Sequence, residues 1–141
     1  MQQPTPVLAP YDPAWPHVAA RHALRLALLG PVVANIHHIG STSTPGMLAQ
    51  PIVDLMPVVA SLADLDAERE RIEEAGYQWH GEAGVAGRRY CTFDNAGVRE
   101  AQLHFFEARS PHVERRLAFR DYLRAHPEAA RAYERDRKSV V

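Results

Sequence analysis

The sequence predicts an α+β fold, a small mixed sheet with helices packed mainly on one face, and three observations carry that prediction. Helical and strand patterns do not alternate: the order is helix, two strands, helix, strand, a strand pair, then two helices. The run Pro51-Ile52-Val53-Asp54-Leu55-Met56-Pro57-Val58-Val59 is apolar enough to be a central strand. Asp94-Asn95-Ala96-Gly97 has turn chemistry between two strand-like segments, so these form a hairpin.

Residues 1–9 read as a lead-in and 10–141 as a single domain, the size expected of a 141-residue chain. Asp12-Pro13 reads as an N-cap followed by proline in the first helical turn. Trp15, Val18, Ala19, His22, Leu26 and Leu29 then recur at helical spacing, and Gly30 closes the helix. Val33–Ile39 suits the first strand and Pro51–Val59 the second. A charged amphipathic helix runs from about Asp64 to Ala75 and stops at Gly76. Tyr77–His80 is a short third strand, and Arg89–Phe93 and Val98–Phe106 are the hairpin. Ser110-Pro111 opens a helix to Ala125, and Pro127 opens a last one towards Lys138.

Charge excludes several function classes. The formal net charge is −1, which argues against a general nucleic-acid binder. That total conceals a division: residues 61–107 carry five bases against ten acids, residues 108–141 nine bases against five acids. Fifteen of the 16 bases are Arg, the better fork for phosphate. Between Arg25 and Asp54 lie 28 residues without an Asp, Glu, Lys or Arg, but prolines, glycines and a Ser-Thr run interrupt them. A membrane-spanning helix needs ~20 consecutive apolar residues, so a membrane role is not expected. Cys91 is the single cysteine, which excludes an internal disulfide and suits a reducing cytoplasm.

Candidate chemistry concentrates at His37-His38-Ile39-Gly40-Ser41-Thr42-Ser43-Thr44-Pro45-Gly46 and at Asp54. A strand ending in Gly-Ser and turning into a short helix presents backbone N–H groups and small hydroxyls to an anion. A plain polar turn is the competing reading. Asp54 shifts the balance, because a carboxylate in an apolar strand needs a cation, an Arg or backbone donors beside it. If the first two strands are neighbours, Asp54 points towards the Gly40-Ser41 loop. A metal there would face a phosphate held by the loop.

His38-Ile39-Gly40-Ser41-Thr42-Ser43-Thr44-Pro45-Gly46 followed by Gln50-Pro51-Ile52-Val53-Asp54 resembles the signature of the GrpB (UPF0157) proteins. Tyr11-Asp12-Pro13-Ala14-Trp15-Pro16, Gln102-Leu103-His104-Phe105 and the block from Phe119 to Pro127 resemble it too, over residues 10–138. The resemblance implies a nucleotidyltransferase fold similar to the polymerase-β core. It further implies nucleotidyl transfer or phospholigand binding, and a domain that in some bacteria is fused to dephospho-CoA kinase. Ile39-Gly40-Ser41 and Asp54-Leu55 match the superfamily pattern, but Met56 stands where its second acid belongs, and a thioether is a poor ligand for Mg²⁺.

On this resemblance Asp54 and His104 are the expected catalytic and metal-binding pair, with a divalent cation, Mg²⁺ or Mn²⁺ first and Zn²⁺ as an alternative. His38, Gly40, Ser41, Thr42, Arg89 and Arg120 are the expected phosphate- or nucleotide-binding residues. The partner is a nucleotide or other phosphorylated small molecule in the cytoplasm, and a non-catalytic phospholigand-binding domain is the alternative. His37 and His38 are strand neighbours facing opposite ways, so at most one can join a site. Arg116, Arg120 and Arg124 form a ridge at i, i+4, i+8 that ordinarily is solvated, with Phe119, Tyr122 and Leu123 as core beside it.

Overall fold

The structure is a computed structural model that describes residues 7–139. Helix α1 (Trp15–Arg25) leads through 3-10 turns (Leu26–Val32) into strand β1 (Val33–Ile39). A 3-10 turn (Ser41–Ser43) and a connecting loop lead to β2 (Val53–Val59). Two short helices, α2 (Leu62–Asp66) and α3 (Arg69–Glu74), are followed by β3 (Gln78–Trp79), β4 (Arg88–Asn95) and β5 (Val98–Glu107). Helices α4 (Pro111–Ala125) and α5 (Pro127–Ser139) complete the order.

The sheet order is β1-β2-β5-β4-β3, with β2 parallel to β5 and the other neighbours antiparallel. The mixed α+β sheet therefore stands as expected, and β2 lies inside it as its apolar composition requires. Alternation divides the residues of β2 and β5 between two faces. Leu55, Val59, Leu103 and Phe105 pack on one face against Ala19 and Leu26, Leu65 and Ile72. Each such apolar side chain contributes about 1.5–3 kcal/mol by leaving water. Ile39, Met56 and Phe106 lie on the other face, under Val113 and Leu117 of α4. Met47, Leu123 and Ala130 tie α4, α5 and the loop before β2 together.

Four local expectations change. The lead-in lies partly outside the described residues, and within them Ala9 already pairs with Ala49 (N···O 2.8 and 3.0 Å). Helix α1 starts at Trp15, and the Asp12 carboxylate caps the preceding turn by accepting from Ala14 N at 2.9 Å. Its α-helical part stops at Arg25, and the chain tightens before Gly30, whose φ of 57° turns it towards β1. The expected helix from Asp64 to Ala75 is two helices: Ser61 caps the first, and Glu68 (φ −98°, ψ 7°) interrupts the run. Among the described residues no helix is long and apolar enough to cross a membrane.

A buried polar chain fastens α1 to the sheet. Tyr77 Oη lies 2.6 Å from His22 Nδ1, and His22 Nε2 lies 2.7 Å from Glu100 Oε2. With the Tyr77 hydroxyl donating to Nδ1, the Nε2–H donates to the carboxylate. Burial pushes the His22 pKa down although Glu100 pulls the other way.

Candidate functional site

β1 delivers the chain to Gly40 and β2 delivers Asp54, and the register sets Ile39 opposite Asp54. At Gly40 the backbone adopts φ 75°, ψ −177°, open essentially to glycine alone. A Cβ there would sit 2.6 Å from Asp54 Oδ2, so the missing side chain is what lets the loop lie against the carboxylate. Ser43 N and Ser43 Oγ both donate to Gly40 O, at 3.0 and 2.6 Å, and Thr44 N donates to Ser41 O at 3.2 Å. These two N–H groups are spent on the turn itself.

On β5, one strand over, His104 faces the same way as Asp54. Its Nε2 lies 3.0 Å from Asp54 Oδ1, and its Nδ1 3.3 Å from an Arg88 Nη. A guanidinium can only donate, so Nδ1 accepts and Nε2 carries the hydrogen that Asp54 takes. Asp54 and His104 thus come together as expected, in an imidazole–carboxylate pair.

These groups open into a cleft of about 420 Å³ between the sheet and α4. Gly40, Ser41 and Thr42 form one wall, Asp54, Gln102 and His104 the floor, and Arg116, Phe119 and Arg120 the facing wall. Two polar atoms of the described residues are buried without a hydrogen-bond partner, Thr44 Oγ1 and Arg116 Nε, and both residues line this cleft. Buried polar atoms are nearly always paired, so two unpartnered side-chain atoms among the residues of one cleft single it out as the candidate site. Arg116 also lies 5.3 Å over the Phe106 ring. Burial, and after it the Arg88 charge, lower its pKa, while Asp54 opposes them.

The remaining site expectations divide. Arg120 lines the cleft and donates to His38 O at 3.2 Å, pinning β1 to α4. His38 braces the loop rather than lining the cleft, with Nε2 2.8 Å from Thr42 Oγ1. Burial, with Arg124 and Arg120 adding to it and Asp54 opposing, pushes the His38 pKa down to about 4. Arg89 does not join the site. Strand alternation puts it on the far face, where it forks onto Asp66 at 2.8 and 3.1 Å, and its neighbour Arg88 reaches His104 instead.

The arginine ridge is not a solvated face: Arg116 and Arg120 turn into the cleft, and Arg124 Nε donates to Ser43 O at 2.9 Å. Phe119 and Tyr122 are 49% and 54% exposed rather than core, and Phe119 borders the cleft edge-on to Tyr133. Arg116 and Gln102 line the cleft although neither is among the expected binding residues, and Thr44 joins it from the loop already singled out. The i, i+4, i+8 spacing was the one signal for Arg116, and its orientation depends on where α4 lies.

The divalent centre of the resemblance meets an unfavourable donor set. Met56 has no exposed surface and packs with Ile39 and Phe106, so the second acid's position is filled by apolar core. Both ring nitrogens of His104 are engaged. Among the described residues no group of three or more His, Cys, Asp or Glu is placed to hold a metal. A two-metal arrangement does not fit these residues.

The family model described as GrpB protein matches residues 5–141. The chain belongs to the GrpB family. It is 43% identical over 125 residues to the UPF0157 protein YqkA of Bacillus subtilis, covering 87% of this chain and 36% of that one. The chain thus spans little more than a third of that relative. The crystal structure of conserved protein GrpB from Enterococcus faecalis matches with a TM-score of 0.88 at 32% identity, over 95% of this chain and 82% of that one. The Cid1 poly(U) polymerase bound to MgATP matches with a TM-score of 0.57 at 13% identity, over 84% of this chain and 40% of that one. That likeness establishes the nucleotidyltransferase fold for the GrpB chain.

Proposed function

We propose that this GrpB chain binds a nucleotide or another phosphorylated small molecule in the cleft between the Gly40–Thr44 loop and α4. The observation that carries this is a pair of unpartnered buried atoms, Thr44 Oγ1 and Arg116 Nε, in two residues that line one cleft with Asp54 and His104. Ser41 and Thr42 on one wall and Arg120 on the other supply hydroxyls and guanidinium suited to phosphate oxygens. The fold shared with a polymerase supports the same reading.

Asp54 and His104 also supply what nucleotidyl transfer asks of a proton acceptor. In such a transfer an acceptor hydroxyl oxygen bonds to the α-phosphorus, the bond to pyrophosphate breaks, and the hydroxyl proton passes to Asp54. Met56 favours a second reading, in which the cleft binds its ligand without turnover. The two are separated by Asp54→Asn: under the first it abolishes pyrophosphate release, and under the second there is none to abolish.

A thermal-shift panel of nucleotides, CoA precursors and sugar phosphates tests the binding. A ligand at 100 times its Kd adds about 2.7 kcal/mol, or roughly 9 °C for a chain this size. No shift with any phosphorylated compound would remove the proposal.

A further inference from the structure

A phosphate group brings nearly two negative charges at neutral pH, and the cleft must supply positive charge for it. Metal ions would need carboxylates, and at this end of the cleft there is one, Asp54, already accepting a hydrogen from His104. The place of a second acid is Met56, buried in an apolar cluster. What the cleft holds instead is guanidinium. Arg88 stands behind His104, and Arg120 lies in the wall, shared between Asp121 and His38 O. Arg116 stands apart from both. Its Nε is buried without a partner, its guanidinium rests on the Phe106 ring, and no ion pair among the described residues includes it.

An unpaired cation taken partly out of water is costly, and the cost persists unless an anion joins it. Arg88 adds to the imbalance: after burial, its charge lowers the Arg116 pKa further, and only Asp54 opposes it. An anionic oxygen at Arg116 would relieve both effects. It would also lie on the side of the cleft opposite the Gly40–Thr44 loop, so that a phosphate spans loop and helix.

We propose that Arg116 is the anion-binding residue of this cleft, and that guanidinium rather than a divalent cation neutralises the ligand, so that binding needs no metal. This rests on the phospholigand reading above. Arg116 receives the phosphate oxygen, Arg120 assists, and Asp54 stays an acceptor for hydrogen rather than a metal ligand.

Calorimetric titration of the whole chain with inorganic pyrophosphate and with ATP, first in EDTA and then in excess Mg²⁺, tests it. Binding in EDTA within about threefold of the Mg²⁺ value is expected. Arg116→Ala should weaken it about tenfold or more, the scale of one hydrogen bond to a charged group. Arg116→Lys should recover part of the loss. Arg116→Met, which keeps the length and drops the charge, should melt higher than wild type in phosphate-free buffer and lose stabilisation by pyrophosphate. That rise is one a merely structural arginine would not give. Binding seen in Mg²⁺ alone overturns the metal-free proposal and leaves the phospholigand reading standing. Binding in EDTA unchanged by Arg116→Ala overturns the role of Arg116. If Arg116→Ala does not fold, a lower melting point for Arg116→Met in phosphate-free buffer overturns it equally. No binding of either probe in either condition overturns both the proposal and the reading beneath it.

Discussion

Replacing Gly40 by alanine would place a methyl carbon 2.6 Å from Asp54 Oδ2, 3.1 Å from its Cβ and 3.2 Å from its Cγ. Two costs follow, and they can be separated. The backbone at φ 75°, ψ −177° costs a non-glycine residue about 1–3 kcal/mol. The contact must also be relieved by moving the carboxylate, which gives up the 3.0 Å bond to His104, worth about 1–3 kcal/mol. At roughly 3 °C per kcal/mol for this chain length, Gly40→Ala should lower the melting temperature by about 6–18 °C. In an Asp54→Ala background the carboxylate contact is gone, and the backbone cost and the 3.1 Å approach to the retained Cβ remain. The double-mutant cycle, read by calorimetric or circular-dichroism melts, should give a coupling of about 1–3 kcal/mol. A Gly40→Ala protein that melts with the wild type would refute the reasoning, as would an equal cost in both backgrounds.

Acid should weaken the fold before carboxylates titrate. His38, with its pKa down from 6.5 to about 4, and His22, shifted the same way, are held neutral by burial. Their contribution is complete above pH 6.5 and drains away as pH falls through the window towards 4, at most about 3 kcal/mol for His38. Melting temperature against pH should slope there, and His38→Gln should flatten part of the slope. Desolvation raises the Glu100 pKa but His22 and Asn95 outweigh it and hold it below 4.5, so its contribution drains away as pH falls from 4.5 through that lowered value. The Cys91 thiol is fully buried with its pKa pushed up to about 12, so a thiol reagent at pH 8 should react only after unfolding. Fast reaction with the native chain would contradict its place in the core. Arg89→Ala should leave phospholigand affinity unchanged and cost under about 1 kcal/mol in urea denaturation, since its partner Asp66 is 44% exposed and the pair is screened by solvent. A loss of affinity would return Arg89 to the site.

Much of this was legible in the sequence, because the features concerned are local. The bounds of β1, the central character of β2, the Ser110 cap and the glycine beside Asp54 each follow from residue type and spacing. Asp54 was legible for a different reason, since a carboxylate in an apolar strand must be aimed at something, and His104 came through the resemblance of its block to the GrpB proteins. What was not legible depends on register and on where helices lie. Choosing between Arg88 and Arg89 requires the β4–β5 register, which shifts between Phe93 and Asp94. That Arg116 enters the cleft while Phe119 stays half open depends on how α4 crosses the sheet, and helical spacing does not encode it. The failed core assignment of Phe119 and Tyr122 has the same origin. Their helix buries Leu123 with Met47 and Ala130 instead.

Heteronuclear NMR of the ¹⁵N-labelled chain during titration with inorganic pyrophosphate tests the central claim most directly, because it reports location as well as affinity. The account predicts saturable shifts confined to the amides of Gly40–Thr44 and His104 and to the Nε–H groups of Arg116 and Arg120. An unmoved Arg116 Nε–H, with shifts scattered over the exposed arginines, would contradict it.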